Sequence, residues 1–257
     1  MCMIKEFGLQ NYTIREHLTT REDVYEAMKT IKEMGYTIIQ TAGEKIPLEE
    51  LAEITKEVGI TVCGTHCGLP TLINDPEKAM ELHRLLGTTN IGVGGIAGFS
   101  EATEEEVKER IKQMNAFADI IYPYGFKFTY HNHEHEFRKL GDKTVMDMLV
   151  EGLDPVKTTF CLDTHWVQRG GGDVCAWIEK LAGRIDIIHL KDMVIRPDRT
   201  PTMCEIGYGN MDFHRIIAAA EKAGVQYYVV EQDECDGDSF DSIKKSADYI
   251  RANFVEC

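Results

Sequence analysis

The sequence predicts an α/β fold, a single (β/α)8 TIM barrel. Short apolar runs rich in β-forming residues alternate with amphipathic helical segments along the chain, and there are eight such pairs. The length of 257 residues is usual for one barrel of this kind. Strands that are almost continuously apolar and are joined by helices indicate a parallel sheet covered on its outer face.

Eight segments have the composition of buried strands. Each is rich in β-branched or aromatic residues and is bounded by glycine or polar residues. In order they are KEFGLQN (5–11), YTIIQTA (36–42), ITVCGTH (60–66), TNIGVGG (89–95), FKFTYHN (126–132), TTFCLDT (158–164), IDIIHLK (185–191) and VQYYVVE (225–231).

A helical segment follows each predicted strand. Several segments end in glycine, where a C-cap is expected, and several open with Ser, Thr or Asp close to an acidic first turn. In order they are TTREDVYEAMKTIKEMG, IPLEELAEITKEVG, NDPEKAMELHRLLG, SEATEEEVKERIKQMNAFADIIYPYG, GDKTVMDMLVEG, GGDVCAWIEKLAG, NMDFHRIIAAAEKAG and SFDSIKKSADYIRANF.

An open, doubly wound sheet is the alternative architecture. The stretch FGLQNYT at the first strand is not the glycine-rich GxGxxG fingerprint of dinucleotide-binding open sheets. The chain contains no linker, no low-complexity tract and no repeat beyond the β/α unit. We therefore expect one barrel domain over residues 1–257.

Composition and charge exclude several kinds of partner. Hydrophobic residues make up 43% and charged residues 28% of the chain, which is ordinary for a soluble globular enzyme. The formal net charge of −15 repels phosphate backbones, so we expect no nucleic acid partner. No window approaches the roughly 18 consecutive apolar residues of a membrane span, so we expect no membrane partner.

The N-terminus and the cysteines bear on location. MCMIKEFGLQ lacks the basic-then-apolar layout of a signal peptide, so the cytoplasm is the expected location. The eight cysteines form no CxxC pair, and several lie in apolar runs such as ITVCGTH. We expect reduced, partly buried thiols.

Unusual polar residues cluster at the C-terminal ends of the predicted strands, where barrels of this kind carry their functional residues. Six of the nine histidines lie there, whereas His17, His83 and His214 fall in predicted helices. The residues at or just after the strand ends are Thr65, His66, His131, Asn132, His133, His135, Asp163, Thr164, His165, His189, Lys191, Asp192 and Glu231.

Carboxylates and imidazoles from four successive strands converge on one side of the predicted barrel mouth. Singly, each has a plainer explanation: Asp163 can cap a loop, and Asp192 can be a solvated turn residue. Jointly, they favour a divalent cation with mixed oxygen and nitrogen ligands. The set is rich in carboxylate and lacks thiolate, so Mn²⁺ is the preferred ion, and Mg²⁺, Co²⁺ and Zn²⁺ are the alternatives.

Five motifs occur in order on successive units: YHNHEHEF, CLDTHW, IHLKD, EIGYGNMDF and VVEQD. Together they resemble the sugar phosphate isomerase/epimerase group of xylose isomerase-like TIM barrels, whose members include ketose 3-epimerases, hydroxypyruvate isomerases and inosose dehydratases. The similarity covers essentially the whole chain. It is specific for the superfamily and not for the substrate.

The resemblance implies a metal held by Glu, Asp, His and Glu from the fifth to the eighth strand. The motifs match Asp163, His189 and Glu231 in this sequence. The fifth strand departs from the family, because His131 stands where the epimerases have a glutamate that is both ligand and acid/base. Either His131 binds the metal, or Glu136 supplies the carboxylate from the following loop. We favour Glu136, which preserves the charge of the family's ligand set.

The other conspicuous residues are assigned to proton transfer and substrate binding. His131 and His133 are two apart on an extended segment and should point the same way, so we expect them to transfer protons, with Glu231 as a second base. Residues 205–209 are expected to form a flexible loop over the site. The expected substrate contacts are His66, His165, Lys191, Glu205, Tyr12 and Trp166.

The predicted function is divalent-metal-dependent isomerisation or epimerisation of a keto-sugar or sugar phosphate, by proton abstraction next to a carbonyl. The alternative is a carbon–oxygen or carbon–carbon lyase, such as a dehydratase acting on an inosose or a 3-keto-glycoside, and the histidine-rich fifth strand favours elimination. A non-catalytic sugar-binding module is the third alternative. The expected partner is a small-molecule carbohydrate, and association into a homo-oligomer is left open.

Overall fold

The structure is a computed structural model that describes residues 4–255. The predicted domain, residues 1–257, extends beyond this range at both ends. Six cysteines lie within the described range as free thiols, whereas Cys2 and Cys257 lie outside it. Among the described helices, none is both long enough and apolar enough to cross a membrane.

Strands and helices alternate along the chain. The strands are β1 (Gly8–Gln10), β2 (Ile38–Thr41), β3 (Thr61–Thr65), β4 (Asn90–Val93), β5 (Lys127–His131), β6 (Lys139–Leu140), β7 (Lys143–Thr144), β8 (Thr158–Asp163), β9 (Ile185–Leu190), β10 (Asp192–Ile195), β11 (Pro201–Cys204) and β12 (Tyr227–Val230). The helices are α1 (Arg21–Glu33), α2 (Leu48–Val58), α3 (Leu69–Asn74), α4 (Pro76–Leu86), α5 (Glu104–Ile121), α6 (Val145–Gly152), α7 (Thr164–Arg169), α8 (Val174–Lys180), α9 (Phe213–Ala223) and α10 (Ser239–Asn253). Short 3-10 helices cover Asn11–His17, Tyr122–Tyr124 and Glu134–Phe137.

Eight strands form one parallel sheet in the order β3-β2-β1-β12-β9-β8-β5-β4. The two outermost strands meet again, because Cys67 and Val93 form a parallel bridge and the Cys67 N–H donates to the Gly92 carbonyl at 2.8 Å. The sheet therefore curls into a nearly closed barrel, which confirms the predicted fold class. The eight barrel strands are the eight predicted from the sequence.

The seam between β3 and β4 requires a glycine at position 92. A Cβ atom on Gly92 would clash with the Thr65 carbonyl oxygen. Across the same seam the Asn90 side-chain amide donates to the Cys63 carbonyl oxygen at 3.1 Å. The missing side chain is what lets the two strands approach closely enough for the barrel to close.

The helix starts follow the capping chemistry of the sequence. Thr20, Thr103 and Thr144 each accept a hydrogen bond from the backbone of an acidic residue three positions later, whose side chain accepts one in return. Gly59 and Gly224 end α2 and α9 in the left-handed conformation that favours glycine. Such caps satisfy backbone groups that the helix itself leaves unpaired.

A layer of apolar side chains fills the barrel interior beneath the mouth. Its members are Ile38, Cys63, Cys161, Ile187 and Val229. Alternate residues of a strand face the same side of a sheet. The residue two positions beyond each of Cys161, Ile187 and Val229 therefore also faces the interior, one layer nearer the mouth. These three residues are Asp163, His189 and Glu231.

Apart from 3-10 helices, two hairpins and two short helices of the described residues were not predicted. They are the antiparallel hairpins β6–β7 and β10–β11 and the short helices α3 and α7. Helix α7 begins directly after Asp163, whose carboxylate caps it. A strand that runs into a helix with no intervening loop leaves no turn residue in the sequence to mark the change.

Candidate functional site

Four side chains converge at the C-terminal ends of β5, β8, β9 and β12. They are His131, Asp163, His189 and Glu231, each of which offers one nitrogen or oxygen atom, and these atoms lie within 4.8 Å of one another. All four residues are buried, and Glu231, the most exposed, is only 4% exposed. Three of them were predicted from the resemblance as metal ligands.

In His131 and His189, the ring nitrogen that faces away from the cluster lies next to an oxygen atom of another residue. His131 Nδ1 lies 3.1 Å from the Gly94 carbonyl oxygen, and His189 Nε2 lies 2.5 Å from Gln40 Oε1. Because these oxygens only accept hydrogen bonds, the nitrogen that faces each of them carries a hydrogen. In the neutral ring the other nitrogen then has a free lone pair, and on both residues this second nitrogen faces the cluster.

Asp163 is held in a similar way. Its Oδ1 accepts the Trp166 N–H at 2.9 Å as the cap of α7, and its own N–H donates to Asn132 Oδ1 at 3.0 Å. The second carboxylate oxygen, Oδ2, lies 3.6 Å from His131 Nε2 and 3.5 Å from His189 Nδ1. One oxygen thus anchors the side chain, and the other is directed into the cluster.

The converging atoms fit a divalent cation. Within residues 4–255, the buried atoms His131 Nε2, Asp163 Oδ2 and His189 Nδ1 have no hydrogen-bond partner. His189 Nδ1 also lies 2.8 Å from Glu231 Oε2 without a directed hydrogen bond. Burying unpaired polar atoms is costly, and one cation would satisfy all of them together. Two imidazoles and two carboxylates are ligands suited to Mn²⁺, Co²⁺ or Zn²⁺.

Lys191 places an ammonium group beside these carboxylates. Its Nζ lies 3.1 Å from Glu231 Oε2, 3.5 Å from Asp163 Oδ2 and 2.8 Å from Asp233 Oδ2. Burial alone would raise the pKa of Asp163 and of Glu231, but the Lys191 charge and the neighbouring histidines hold both pKa values well below their usual range. Asp163 and Glu231 are therefore kept ionised.

A cavity of about 410 Å³ opens above the cluster, within the range of small-molecule sites. It is lined by four of the predicted substrate contacts, Tyr12, His66, Trp166 and Lys191, as well as by His133. Its lining residues are Tyr12, Ala42, Gly43, His66, Gly94, His131, His133, Trp166, Lys191, Glu231 and Asp233.

The cavity histidines that lie outside the cluster are neutral at physiological pH. Burial, together with the nearby His131, lowers the pKa of His66 well below its usual value. The same two causes lower the pKa of His133 to about 4. Each ring therefore has one nitrogen that can accept a proton and one that can donate a hydrogen bond.

Glu136 is not part of the cluster, contrary to the preference for it over His131. Its Oε1 accepts the Tyr130 hydroxyl hydrogen at 2.6 Å, and its Oε2 accepts the His133 N–H at 2.8 Å. Both carboxylate oxygens are thus engaged in holding the turn after β5. The structure brings His131 to the position beside Asp163 instead.

Glu205 and the loop that it begins also differ from expectation. Glu205 Oε1 accepts hydrogen bonds from Lys245 and Ser242 on α10, and the residue does not line the cavity. The loop is anchored, because Asp192 Oδ2 accepts the N–H groups of Gly207 and Gly209 at 2.9 and 3.0 Å. Asp192 is therefore a buried anchor rather than a solvated turn residue.

His165 lies behind the cavity wall. It is fully buried, its Nδ1 lies 3.3 Å from the Asp192 carbonyl oxygen, and its ring packs edge-on against Trp166. Since His165 does not line the cavity, the structure does not place it as a substrate contact. It supports Trp166, which does line the cavity.

Three site residues were missed in the sequence. Gln10 and Gln40 lie on the first two strands and contact the histidines, and Asp233 pairs with Lys191. Asp233 could have been found, because it follows Glu231 by two residues and so faces the same way on an extended segment. The two glutamines interrupt apolar strands, which is the signal that could have identified them.

Comparisons with known proteins agree with the barrel fold. A family model described as "Xylose isomerase-like TIM barrel" matches residues 28–253. The inosose dehydratase of Geobacillus thermodenitrificans (strain NG80-2) is 28% identical over 166 residues, which are 58% of this chain and 55% of that protein. The chain therefore spans about half the length of this curated relative.

Two solved structures show the same fold. A sugar phosphate isomerase/epimerase from Parabacteroides distasonis ATCC 8503 superposes with a TM-score of 0.82 at 23% identity, over 97% of this chain and 94% of that one. An L-ribulose 3-epimerase superposes with a TM-score of 0.74 at 13% identity, over 97% and 94% of the two chains. At these identities the likeness extends to the fold alone.

Proposed function

The chain belongs to the xylose isomerase-like TIM barrel family, and on that premise we propose that it is a divalent-metal-dependent enzyme acting on a keto-sugar. It removes a proton from the carbon next to the carbonyl group and returns a proton to give an isomer or an epimer. The observation that carries this proposal is the convergence of His131, Asp163, His189 and Glu231 on one point beneath a small cavity.

These four residues would hold the cation. When bound there, the cation supplies Lewis acidity, which polarises a carbonyl group and stabilises the negative charge that develops as the neighbouring C–H bond breaks. In this proposal His131, rather than Glu136, is the metal ligand from β5.

With His131 in the ligand set, His133 is the remaining base of the predicted pair. It lines the cavity, its ring centre lies 4.8 Å from that of His131, and its buried Nδ1 has no partner among the described residues. An unpaired imidazole nitrogen at the edge of the substrate space is placed to accept a proton. Glu231, on a strand from the other part of the barrel, is the second proton-transfer group.

The substrate is an uncharged carbohydrate rather than a sugar phosphate. Lys191 is the one lysine or arginine among the residues that line the described cavity, and its Nζ is already paired with Asp163, Glu231 and Asp233. A phosphate group would have to compete with three carboxylates for this single ammonium. Tyr12 and Trp166 offer aromatic surfaces against which a sugar ring can pack.

A second candidate is a dehydratase that acts through the same site. His131 is an imidazole at the position where the family resemblance implies a glutamate, so this site has one carboxylate fewer than the ligand set that the resemblance implies. Elimination needs one base and one acid to protonate the departing hydroxyl group. The similarity to an inosose dehydratase supports this candidate.

The test is incubation of the Mn²⁺-loaded protein in deuterated water with keto-sugars, inososes and 3-keto-glycosides, followed by NMR and mass spectrometry. Deuterium next to the carbonyl in an otherwise unchanged or isomeric product would establish isomerisation or epimerisation. Loss of water or of an aglycone would establish the lyase. The matched variants are Glu231→Gln, which should abolish exchange, and Glu205→Gln, which lies outside the cavity and should retain it. Absence of both exchange and elimination with every substrate would refute both candidates.

A further inference from the structure

Two glutamines lie side by side inside the barrel, beneath the histidines. Gln10 on β1 and Gln40 on β2 are paired in register and are both 0% exposed. The Gln10 side-chain nitrogen donates a hydrogen bond to Gln40 Oε1 at 2.9 Å. A buried amide pair is stable only if the donors and acceptors of both amides are matched.

A single backbone group fixes the orientation of both amides. The Tyr12 N–H lies 3.3 Å from Gln10 Oε1, and a backbone N–H can only donate. Gln10 must therefore present its oxygen to Tyr12 and its nitrogen to Gln40. Gln40 in turn must present its oxygen to Gln10, because the reverse orientation would bring two N–H₂ groups face to face.

The fixed amides determine which nitrogen of each imidazole carries the hydrogen. Gln40 Oε1 faces His189 Nε2 at 2.5 Å, so His189 Nε2 is the protonated nitrogen. Gln10 Nε2 faces His66 Nδ1 at 3.3 Å, and an amide nitrogen does not accept hydrogen bonds. His66 Nδ1 is therefore the acceptor, and in the neutral ring Nε2 carries the hydrogen.

The two rings thus share one tautomer but are turned in opposite directions. His189 directs its Nε2–H away from the cation cluster and its Nδ1 toward it. His66 is held at Nδ1, and its buried Nε2 has no partner within the described part of the chain. His66 also lines the cavity.

We infer that Gln10 and Gln40 are positioning residues that give the two histidines different tasks. They hold His189 with a lone pair directed at the cation, and they hold His66 with an N–H group directed at an oxygen atom of the substrate. His66 is therefore a neutral hydrogen-bond donor rather than a base. The role of His66 toward a substrate depends on the proposed function, whereas the two tautomers do not.

The tautomer of His66 can be measured in the metal-free protein. Histidine labelled with ¹⁵N distinguishes protonated from unprotonated ring nitrogens by chemical shift, and the His66→Gln variant identifies the His66 signals. We expect Nε2 of His66 to be protonated and Nδ1 to be unprotonated. In Gln10→Glu the new carboxylate only accepts, so Nδ1 of His66 should gain a proton.

A second variant at Gln10 keeps the test valid if Gln10→Glu does not fold. Gln10→Met removes the donor without adding charge, and we expect His66 to become a mixture of the two tautomers. Circular dichroism and thermal unfolding identify any variant that does not fold. The inference is overturned if Nδ1 of His66 is protonated in the unaltered protein. It is equally overturned if folded Gln10 variants leave the tautomer unchanged.

Mn²⁺ affinity tests the other half of the inference. Gln40→Glu keeps an acceptor for the His189 N–H, whereas Gln40→Met removes it. Titration calorimetry should show Mn²⁺ binding at least about 10-fold weaker in Gln40→Met than in Gln40→Glu, as is typical when a metal ligand loses its hydrogen-bond partner. Equal affinities would refute the role of Gln40. If the tautomers and affinities are as expected but no sugar reacts, the proposed function fails and this inference stands.

Discussion

Lys191 and Asp233 form an ion pair at the mouth of the barrel, with Nζ 2.8 Å from one carboxylate oxygen and 2.9 Å from the other. Lys191 is only 1% exposed. The same ammonium group contacts Glu231 and Asp163, so one lysine side chain pairs with three carboxylates.

Lys191→Met should destabilise the metal-free protein by about 3–5 kcal/mol, because it removes the ammonium group that pairs with buried carboxylates. It should also increase the thermal stabilisation produced by Mn²⁺, since the cation then supplies the missing positive charge. Thermal unfolding with EDTA and with Mn²⁺ measures both effects. The control is Lys143→Met, which removes an exposed pair with Glu151 and should change stability by less than about 1 kcal/mol. Similar behaviour of the two variants would contradict this account.

Replacement of His131 and of Glu136 should have different consequences. His131→Gln removes a cluster nitrogen, so we expect Mn²⁺ affinity to fall by at least the roughly 10-fold that loss of a ligand's hydrogen-bond partner costs. Glu136→Gln should leave the affinity within about threefold and should lower stability by about 1–3 kcal/mol, because it disturbs the hydrogen bonds with Tyr130 and His133. Titration calorimetry and urea unfolding measure the two effects. The opposite order of affinities would restore Glu136 as the ligand.

His83 should make stability depend on pH below neutrality. Its Nε2 lies 2.7 Å from Thr65 Oγ1, and burial lowers the pKa of His83 from 6.5 to about 4. Between these values the unfolded chain binds a proton that the folded protein excludes. The stabilisation is therefore complete above pH 6.5 and is lost as the pH falls toward 4, by about 3 kcal/mol in all.

Urea unfolding at several pH values checks this prediction. The His83→Gln variant keeps a polar side chain at the same position but does not titrate. Its free energy of unfolding should fall less steeply between pH 6.5 and 4.5 than that of the unaltered protein. Parallel curves would show that His83 does not cause the pH dependence.

Gly92→Ala should open the seam of the barrel. The added Cβ atom would clash with the Thr65 carbonyl oxygen, so we expect a loss of about 1–3 kcal/mol in the free energy of unfolding. Gly237→Ala is the matched control, because nothing lies within 4 Å of a Cβ atom at that position. It should change stability by less than about 0.5 kcal/mol. Equal effects would mean that the seam tolerates a side chain.

The barrel and part of the site could be predicted from the sequence because both follow from periodic patterns. Buried strands are continuously apolar, and parallel strands end at the same edge, so Asp163, His189 and Glu231 had to lie together once the sheet closed. The helix caps are local and needed no tertiary information. These features depend either on residues close together in the sequence or on the fact that all parallel strands end at the same edge of the sheet.

The remaining parts of the site depend on contacts that no local pattern encodes. Glu136 was preferred on charge, but its place is decided by the Tyr130 hydroxyl and by the turn that it caps. Glu205 is drawn to Lys245, forty residues away in the chain. Gln10 and Gln40 contact His66 and His189 only because the folded barrel brings the first two strands next to these histidines.

The order of strands around the barrel gives the mouth two chemically different sides. His66 and His133 follow β3 and β5, on either side of β4, whereas Lys191 and Glu231 follow β9 and β12 in the other half of the ring. A flat substrate ring bound between the two sides would therefore have neutral imidazoles against one face and charged groups against the other. A substrate carbon with two mirror-related faces would be approached differently from each side, so the topology of the sheet itself imposes a handedness on any reaction within it.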